Sequence, residues 1–253
     1  MRTGLSKADP AVEIAVITEA SRGIGRALAL ALVRAGVVVA GLSHEAFVPD
    51  ADGILPVVAD VRDPADVARA FGEIRSRIGA PTILINNSEA YPDRDILDET
   101  PASFMDTVQL NLGGAFNCCH AVLPDMVAAG RGRIINVVTF ADVRPAPLAG
   151  AYSVSKGALR ILTRALVADL GDRFPGIVIN DWIPGTHQPR KGIPDGVDPL
   201  VAAEWGARLA LMKSPEINGL VFLRDFEHAS PRSFKGRVKD RVLGRSHVRV
   251  RLG

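Results

Sequence analysis

Residues 12–36 read VEIAVITEASRGIGRALALALVRAG. Apart from Glu13, the first seven are apolar or β-branched without polar alternation, the pattern of a short strand buried on both faces. A turn with two glycines follows. Apolar residues then recur at helical spacing over 23–35, and Gly36 stands just past the last of them as a stop signal. A buried strand, a tight turn and a helix form the unit from which parallel sheets are built, because parallel strands need a crossover between them.

The unit recurs along the chain. Apolar runs at 37–42, 54–59, 82–86, 133–138, 177–182 and 220–224 predict six further strands, and helical patterns fall at 64–78, 103–129, 152–174 and 199–212. Pro64 sits at a helix start, while Gly113, Gly114 and Pro124 interrupt the third helix. Right-handed crossovers turn this order into an α/β fold, a Rossmann-like doubly wound parallel seven-stranded sheet with helices on both faces. It is expected to be a single domain over 1–228, followed by a basic extension over 229–253. Ligands of such sheets bind beyond the carboxyl ends of the strands.

Composition narrows the function. The chain has 253 residues, 47% of them apolar and 23% charged, with a net charge of +2. That charge is too small to point to nucleic acid. No apolar run approaches the roughly 20 residues that span a bilayer, and residues 1–10 carry no apolar signal core. Cys118 and Cys119 are adjacent and unsuited to a structural disulfide, which fits a reducing, cytoplasmic location. They read as core or interface rather than redox groups. No metal-ligand spacing is present. The end of the chain carries Arg232, Lys235, Arg237, Lys239, Arg241, Arg245, Arg249 and Arg251 against Asp240 alone. Three readings stay open for it: a solvated tail, a clasp on a neighbouring subunit in which 246–252 adds an edge strand, and attachment to an acidic surface such as nucleic acid or anionic lipid. The absence of interleaved aromatics argues against base stacking.

The first turn, Thr18-Glu19-Ala20-Ser21-Arg22-Gly23-Ile24-Gly25, opens a helix. Free N–H groups and the positive dipole end there suit a phosphate, and glycines let the backbone come close. The segment resembles the Thr-Gly-x-x-x-Gly-x-Gly turn of the short-chain dehydrogenase/reductase family, with Glu19 where the family has glycine. Asp60-Val61 resembles the pair whose acid contacts adenine. Asn86-Asn87-Ser88-Glu89 resembles Asn-Asn-Ala-Gly, and again an acid, Glu89, replaces glycine. The end of the second predicted strand offers Gly41, Leu42, Ser43 and His44 with no acid, and Arg22 stands where relatives using NADP often carry a base. NADP(H) is therefore favoured over NAD(H).

Tyr152 and Lys156 are spaced i, i+4, which places them on one helix face. A phenol has a free pKa of about 10, and a nearby ammonium lowers it toward acid–base use. The pair matches the family's Tyr-x-x-x-Lys motif, with Ser155 before the lysine. Thr139 stands thirteen residues before the tyrosine, where the family has serine, and Asn111 matches a helix asparagine of its proton relay. Pro184-Gly185 follows the sixth strand as in the family. Pro189 replaces a threonine, Thr186 lies out of register, and the segment 186–198 is short for a lid.

The resemblance implies a catalytic set of Tyr152 as acid/base, Lys156, Thr139 and Asn111. It implies cofactor contacts from Thr18, Ser21, Arg22, Gly23, Ile24, Gly25, Asp60, Val61, Asn87, Tyr152, Lys156, Pro184, Gly185 and Thr186. The expected reaction is hydride transfer between NAD(P)(H) and a carbonyl or secondary alcohol. The expected assembly is a homo-oligomer formed through the two long helices, and no metal is implied. The acids at 19 and 89 keep a second reading open, a non-catalytic scaffold of the same fold that acts through protein contacts.

Overall fold

The apolar run that opens the chain forms a strand over Ile14–Thr18 (β1), with all five side chains buried. A helix over Gly23–Arg34 (α1) follows directly. The computed structural model describes residues 12–185, 196–228 and 249–252. The alternation continues through Val38–Ser43 (β2), Ile54–Val58 (β3), Pro64–Arg77 (α2) and Ile83–Asn86 (β4). Asp63 caps α2 by accepting from the Ala65 N–H, with Pro64 in its first turn as the sequence predicts.

The predicted helix over 103–129 is divided. Pro101–Val108 (α3) leads into a π-helical stretch over Gln109–Gly113, and Gly114–Ala129 (α4) completes the run. The wide turn buries Asn111, and Gly114 behind it packs on Val61, whose Cγ2 lies 2.6 Å from where a Cβ would stand. Such single π turns cluster at functional sites. Gly132–Val137 (β5), Gly150–Leu170 (α5), Ile177–Ile183 (β6), Pro199–Leu211 (α6) and Val221–Leu223 (β7) complete the parallel part of the fold.

The sheet has eight strands rather than seven, in the order β3-β2-β1-β4-β5-β6-β7-β8. Arg224 adopts a left-handed φ of 55° and turns the chain back, so that Phe226–Glu227 (β8) pairs antiparallel with β7. Residues 249–252 lie along β8 of their own chain: Glu227 N–H donates to Val250 O at 2.9 Å and Leu252 N–H to Asp225 O at 2.7 Å. Leu252 is buried in the core, and Arg208 donates to its carbonyl at 2.8 Å. Of the stretch 246–252, one reading of which is an edge strand clasping a neighbouring subunit, the described residues 249–252 lie on β8 of the same chain. The basic stretch over 229–248 lies outside the described residues.

Two apolar layers cover the sheet. The helices α1 and α6 pack with Leu28, Leu32, Ala203 and Leu209 on one face; α2 and α4 pack with Phe71, Ile74, Cys118 and Met126 on the other. Both cysteines are free and buried, and burial pushes the thiols up, Cys119 to about 12. They are core residues.

A polar seam runs through this core beneath the carboxyl ends of the strands. Asn86 Nδ2 donates to Asn136 Oδ1, and Asn136 Nδ2 to Thr163 Oγ1, both at 2.8 Å. The Thr163 hydroxyl donates to Asp181 Oδ1 at 2.6 Å. Arg160 Nε lies 3.8 Å from Asp181 Oδ2, and its Nη1 holds Asp142 at 2.6 Å. The seam links β4, β5, α5 and β6 to the loop after β5. Burial is the main force on Asp181 and pushes its carboxyl up to about 6.

An acid whose folded pKa exceeds its unfolded value favours folding when protonated. That contribution is present below the unfolded value of about 4 and is lost as pH rises through 6. Asp181→Asn keeps the acceptor for Thr163 and removes the titration. Between pH 4 and 6.5 wild type is therefore expected to lose about 2–3 kcal/mol of stability relative to the variant. Urea unfolding of both across that range checks it, and a constant difference would refute the assignment.

Candidate active site

The crevice lies where the chain order reverses, between β1 and β4. Thr18 ends β1, and its Oγ1 accepts from the N–H groups of Asn87 (2.9 Å) and Ser88 (2.8 Å), while Asn87 Nδ2 donates to Thr18 O at 3.0 Å. These contacts lock the two strand ends just past the last pair of their parallel ladder, Ile17 with Ile85.

The turn after β1 keeps the geometry of a phosphate cradle. Gly23 has φ +56°, and a Cβ there would touch nothing within 4 Å, so the space above it is open. Gly25 is the reverse case: a Cβ would run into the Glu19 carbonyl and stand 2.6 Å from Asn87 Nδ2. Ile24 packs against the core. Arg22 starts α1 without a side-chain cap, which leaves the first N–H groups to a ligand. Ser21 Oγ accepts from Ser43 Oγ at 3.2 Å.

Glu19 adopts a left-handed φ of 55°, the conformation a glycine would take freely. Its carboxylate turns along the turn rather than filling the space over Gly23. Oε1 accepts from Arg22 Nη2 at 2.9 Å, and Oε2 accepts from the Glu89 N–H at 3.2 Å. Further along the crevice, Asp60 accepts from Arg62, with 2.7 Å to Nη2, and this contact holds its carboxyl below the usual range. Val61 is buried beside it. Pro184 and Gly185 follow β6, Gly185 with φ 101°. Thr186 and Pro189 lie outside the described residues.

Tyr152 and Lys156 sit one turn apart near the start of α5. Lys156 is 1% exposed, and its Nζ donates to Val137 O at 3.0 Å. It stands 6.0 Å from the centroid of the Tyr152 ring. Thr139, just past β5, stands near enough to the Tyr152 phenol for its side chain to favour the ionised form. The Tyr91 ring packs on Tyr152 with centroids 4.5 Å apart. Three of the four expected catalytic residues therefore converge.

Asn111 supports them from behind. Its Oδ1 accepts from Ala90 N–H at 2.7 Å, and its Nδ2 donates to Ala90 O (3.0 Å) and Ser155 Oγ (2.9 Å). Ser155 in turn donates to Tyr152 O at 2.8 Å. The amide pins the loop after β4 and the first turn of α5, and does so through Ala90 and Ser155 rather than through Lys156.

The residue that sequence spacing does not place is Glu89. Its Oε2 accepts from the Tyr152 hydroxyl at 3.2 Å and lies 3.6 Å from Lys156 Nζ. The net shift on the phenol is upward. Burial first, then the Glu89 charge and its hydrogen bond, raise the Tyr152 pKa, and only the Thr139 side chain lowers it. Burial lowers the Lys156 pKa, and Glu89 opposes that shift. The glycine-to-acid departure at 89 was the signal in the sequence; that its carboxylate reaches both groups follows only from the packing of two loops. The seam beneath also had a signal, Asn136 and Asn180-Asp181 inside otherwise apolar strand runs.

This geometry agrees with what the chain is similar to. It is 34% identical over 185 residues to the 2-(R)-hydroxypropyl-CoM dehydrogenase of Xanthobacter autotrophicus, covering 68% of this chain and 73% of that one. It is 36% identical over 191 residues to a sorbitol dehydrogenase of Cereibacter sphaeroides, covering 73% of each. A crystal structure of a gluconate 5-dehydrogenase from Burkholderia cenocepacia, in complex with NADP and tartrate, superposes with a TM-score of 0.75 at 27% identity, over 87% of this chain and 96% of that one. The family model for short chain dehydrogenases matches residues 13–190, and this chain belongs to that family.

Proposed function

We propose that this protein is an NAD(P)(H)-dependent oxidoreductase that interconverts a carbonyl compound and a secondary alcohol. The observation that carries this reading is Tyr152, flanked by Thr139 and the buried Lys156, at the mouth of the crevice. The open space over Gly23 and the uncapped start of α1 fit a pyrophosphate. Thr18, Ser21, Arg22, Gly23, Ile24 and Gly25 would hold it, Asp60 and Val61 would face the adenine with Asn87 beside them, and Tyr152, Lys156, Pro184 and Gly185 would face the nicotinamide end. When bound, the cofactor supplies or accepts the hydride.

The chain's own task is the proton. Thr139 orients the substrate oxygen, and Tyr152 Oη gives a proton to that oxygen in reduction or removes one in oxidation. Lys156 supplies the positive charge behind the phenol. NADP(H) is the favoured form, since the end of β2 carries no acid and Arg22 stands at the cradle. Exposed apolar residues on both long helices, Phe116 and Val127 on α4 with Val154 and Ile161 on α5, support a homo-oligomer formed through these faces. No helix among the described residues is long and apolar enough to cross a membrane, and we place the protein in the cytoplasm. The second reading, a non-catalytic scaffold, is favoured by one observation, the Glu89 carboxylate lodged against Tyr152 and Lys156.

Titration with NADPH and NADH, followed by nicotinamide fluorescence, separates the two. Micromolar binding with NADPH the tighter is expected; Tyr152→Phe should keep that binding and lose about 10²–10⁴-fold in turnover on a carbonyl substrate. Absence of binding up to millimolar cofactor would favour the scaffold. Because Glu19 places a carboxylate at the pyrophosphate end, Glu19→Gly is expected to tighten dinucleotide binding by a margin that shrinks in high salt. Equal affinity in both proteins would remove the electrostatic role given to Glu19.

A further inference from the structure

Two neighbours of Glu89 compete for one carboxylate oxygen. Its Oε2 lies 3.2 Å from the Tyr152 hydroxyl and 3.6 Å from Lys156 Nζ. An ionised carboxylate can only accept, so the phenol is the donor and keeps its proton. The loop that presents this carboxylate is held from two sides. The Glu89 N–H donates to Glu19 Oε2 at 3.2 Å, and both backbone groups of the next residue, Ala90, are taken by Asn111 at 2.7 and 3.0 Å.

We propose that Glu89 is a positioning residue of the acid–base site: its carboxylate takes the hydrogen bond of Tyr152 and shares the charge of Lys156, so that the site holds its proton on Tyr152 and is set as a proton donor, the polarity that carbonyl reduction needs. The direction of the reaction rests on the oxidoreductase reading; the location of the proton does not.

The groups around the phenol support this on charge as well as distance. From α5 it faces Lys156, from the loop after β4 Glu89 and Tyr91, and from the loop after β5 the non-ionising Thr139. From the turn after β1, Glu19 acts on Lys156, itself paired with Arg22. Lys156 is the one cation in direct reach of the ring among these groups, and it also serves Glu89 and the Val137 carbonyl. A phenolate at Tyr152 would therefore stand against a carboxylate with a single ammonium shared between them, and like charges at that separation disfavour the second ionisation. In reduction the substrate oxygen takes the proton from Tyr152 Oη, and the short-lived phenolate regains one from solvent. In oxidation the phenolate would have to exist beforehand, which the Glu89 charge opposes.

The chain has two tyrosines, so Tyr91→Phe leaves Tyr152 as the only titrating phenol. Its ionisation is read from phenolate absorbance in the near ultraviolet, without cofactor or substrate, with circular dichroism on the same samples to show that the fold persists. In Tyr91→Phe alone the midpoint is expected above the free value of about 10. Adding Glu89→Gln, which keeps the side-chain shape and removes the charge, is expected to lower it by about one pH unit or more, a tenfold gain in acid constant. Glu89→Gly is expected to do the same. An unmoved midpoint, or a shift with glycine but not with glutamine, overturns the proposal. Since no nucleotide is present, a chain that failed to bind NADPH would sink the oxidoreductase reading and leave this result intact.

Discussion

The lock between Thr18 and Asn87 is the constraint on which the rest of the site depends. The strand order β3-β2-β1-β4 means that β1 hands the chain to a helix on one face while β4 hands it back on the other. The strand ends diverge there and open a crevice. Divergence would strand backbone N–H groups, at about 1–3 kcal/mol for each one buried and unpaired. The Thr18 hydroxyl takes two of them, from Asn87 and Ser88. Every residue that follows either strand therefore leaves from a fixed origin, and Glu19 and Glu89 are brought within one hydrogen bond of each other.

Lys156 sets the energetics of the other side. A fully buried ammonium loses its hydration, and a carbonyl acceptor alone compensates poorly. Val137 supplies that carbonyl and Glu89 the counter-charge. Glu89 is half exposed, so it stays hydrated on one side. Glu89 thus opposes the lowering that burial imposes on Lys156, and draws the lysine toward the carboxylate as well as the phenol. Asn111, in the widened π turn, holds the loop and helix that make the arrangement rigid.

How much of this the sequence discloses depends on the range of the interaction. The parallel strands are legible because each is a short apolar run between turn signals. The two-residue strand β8 is not, since Phe226-Glu227 has no period of its own and pairs only because Arg224 turns the chain. The break at Gln109–Gly113 is marked in the sequence by Gly113 and Gly114, but its π form, with Asn111 buried in it, shows only in the fold. Tyr152 and Lys156 are legible as a pair from their i, i+4 spacing, and Thr139 from the resemblance to the family. Their company is not: Glu89 is sixty-three positions from Tyr152, and only the fold brings it there. The Asp181–Thr163–Asn136 seam is an intermediate case, announced by polar residues in buried strands but given meaning only by their partners.

The two acids that depart from the family pattern belong to one row of charge, Arg22–Glu19–Glu89–Lys156, in which the anions meet through the Glu89 backbone rather than through their carboxylates. Each anion has its own cation, but the two ends of the row lie in different solvent. Arg22 is 73% exposed and Lys156 1%. An exposed ion pair is screened by salt and contributes about 0–1 kcal/mol, whereas the interaction of Glu89 with a buried ammonium and a largely buried phenol is screened far less. Ionic strength therefore acts more strongly on the phosphate end of the crevice than on the proton end. The same type of substitution, glycine to glutamate, thus has two physical consequences in one site: at 19 it bears on what the cradle attracts, and at 89 on where the proton rests.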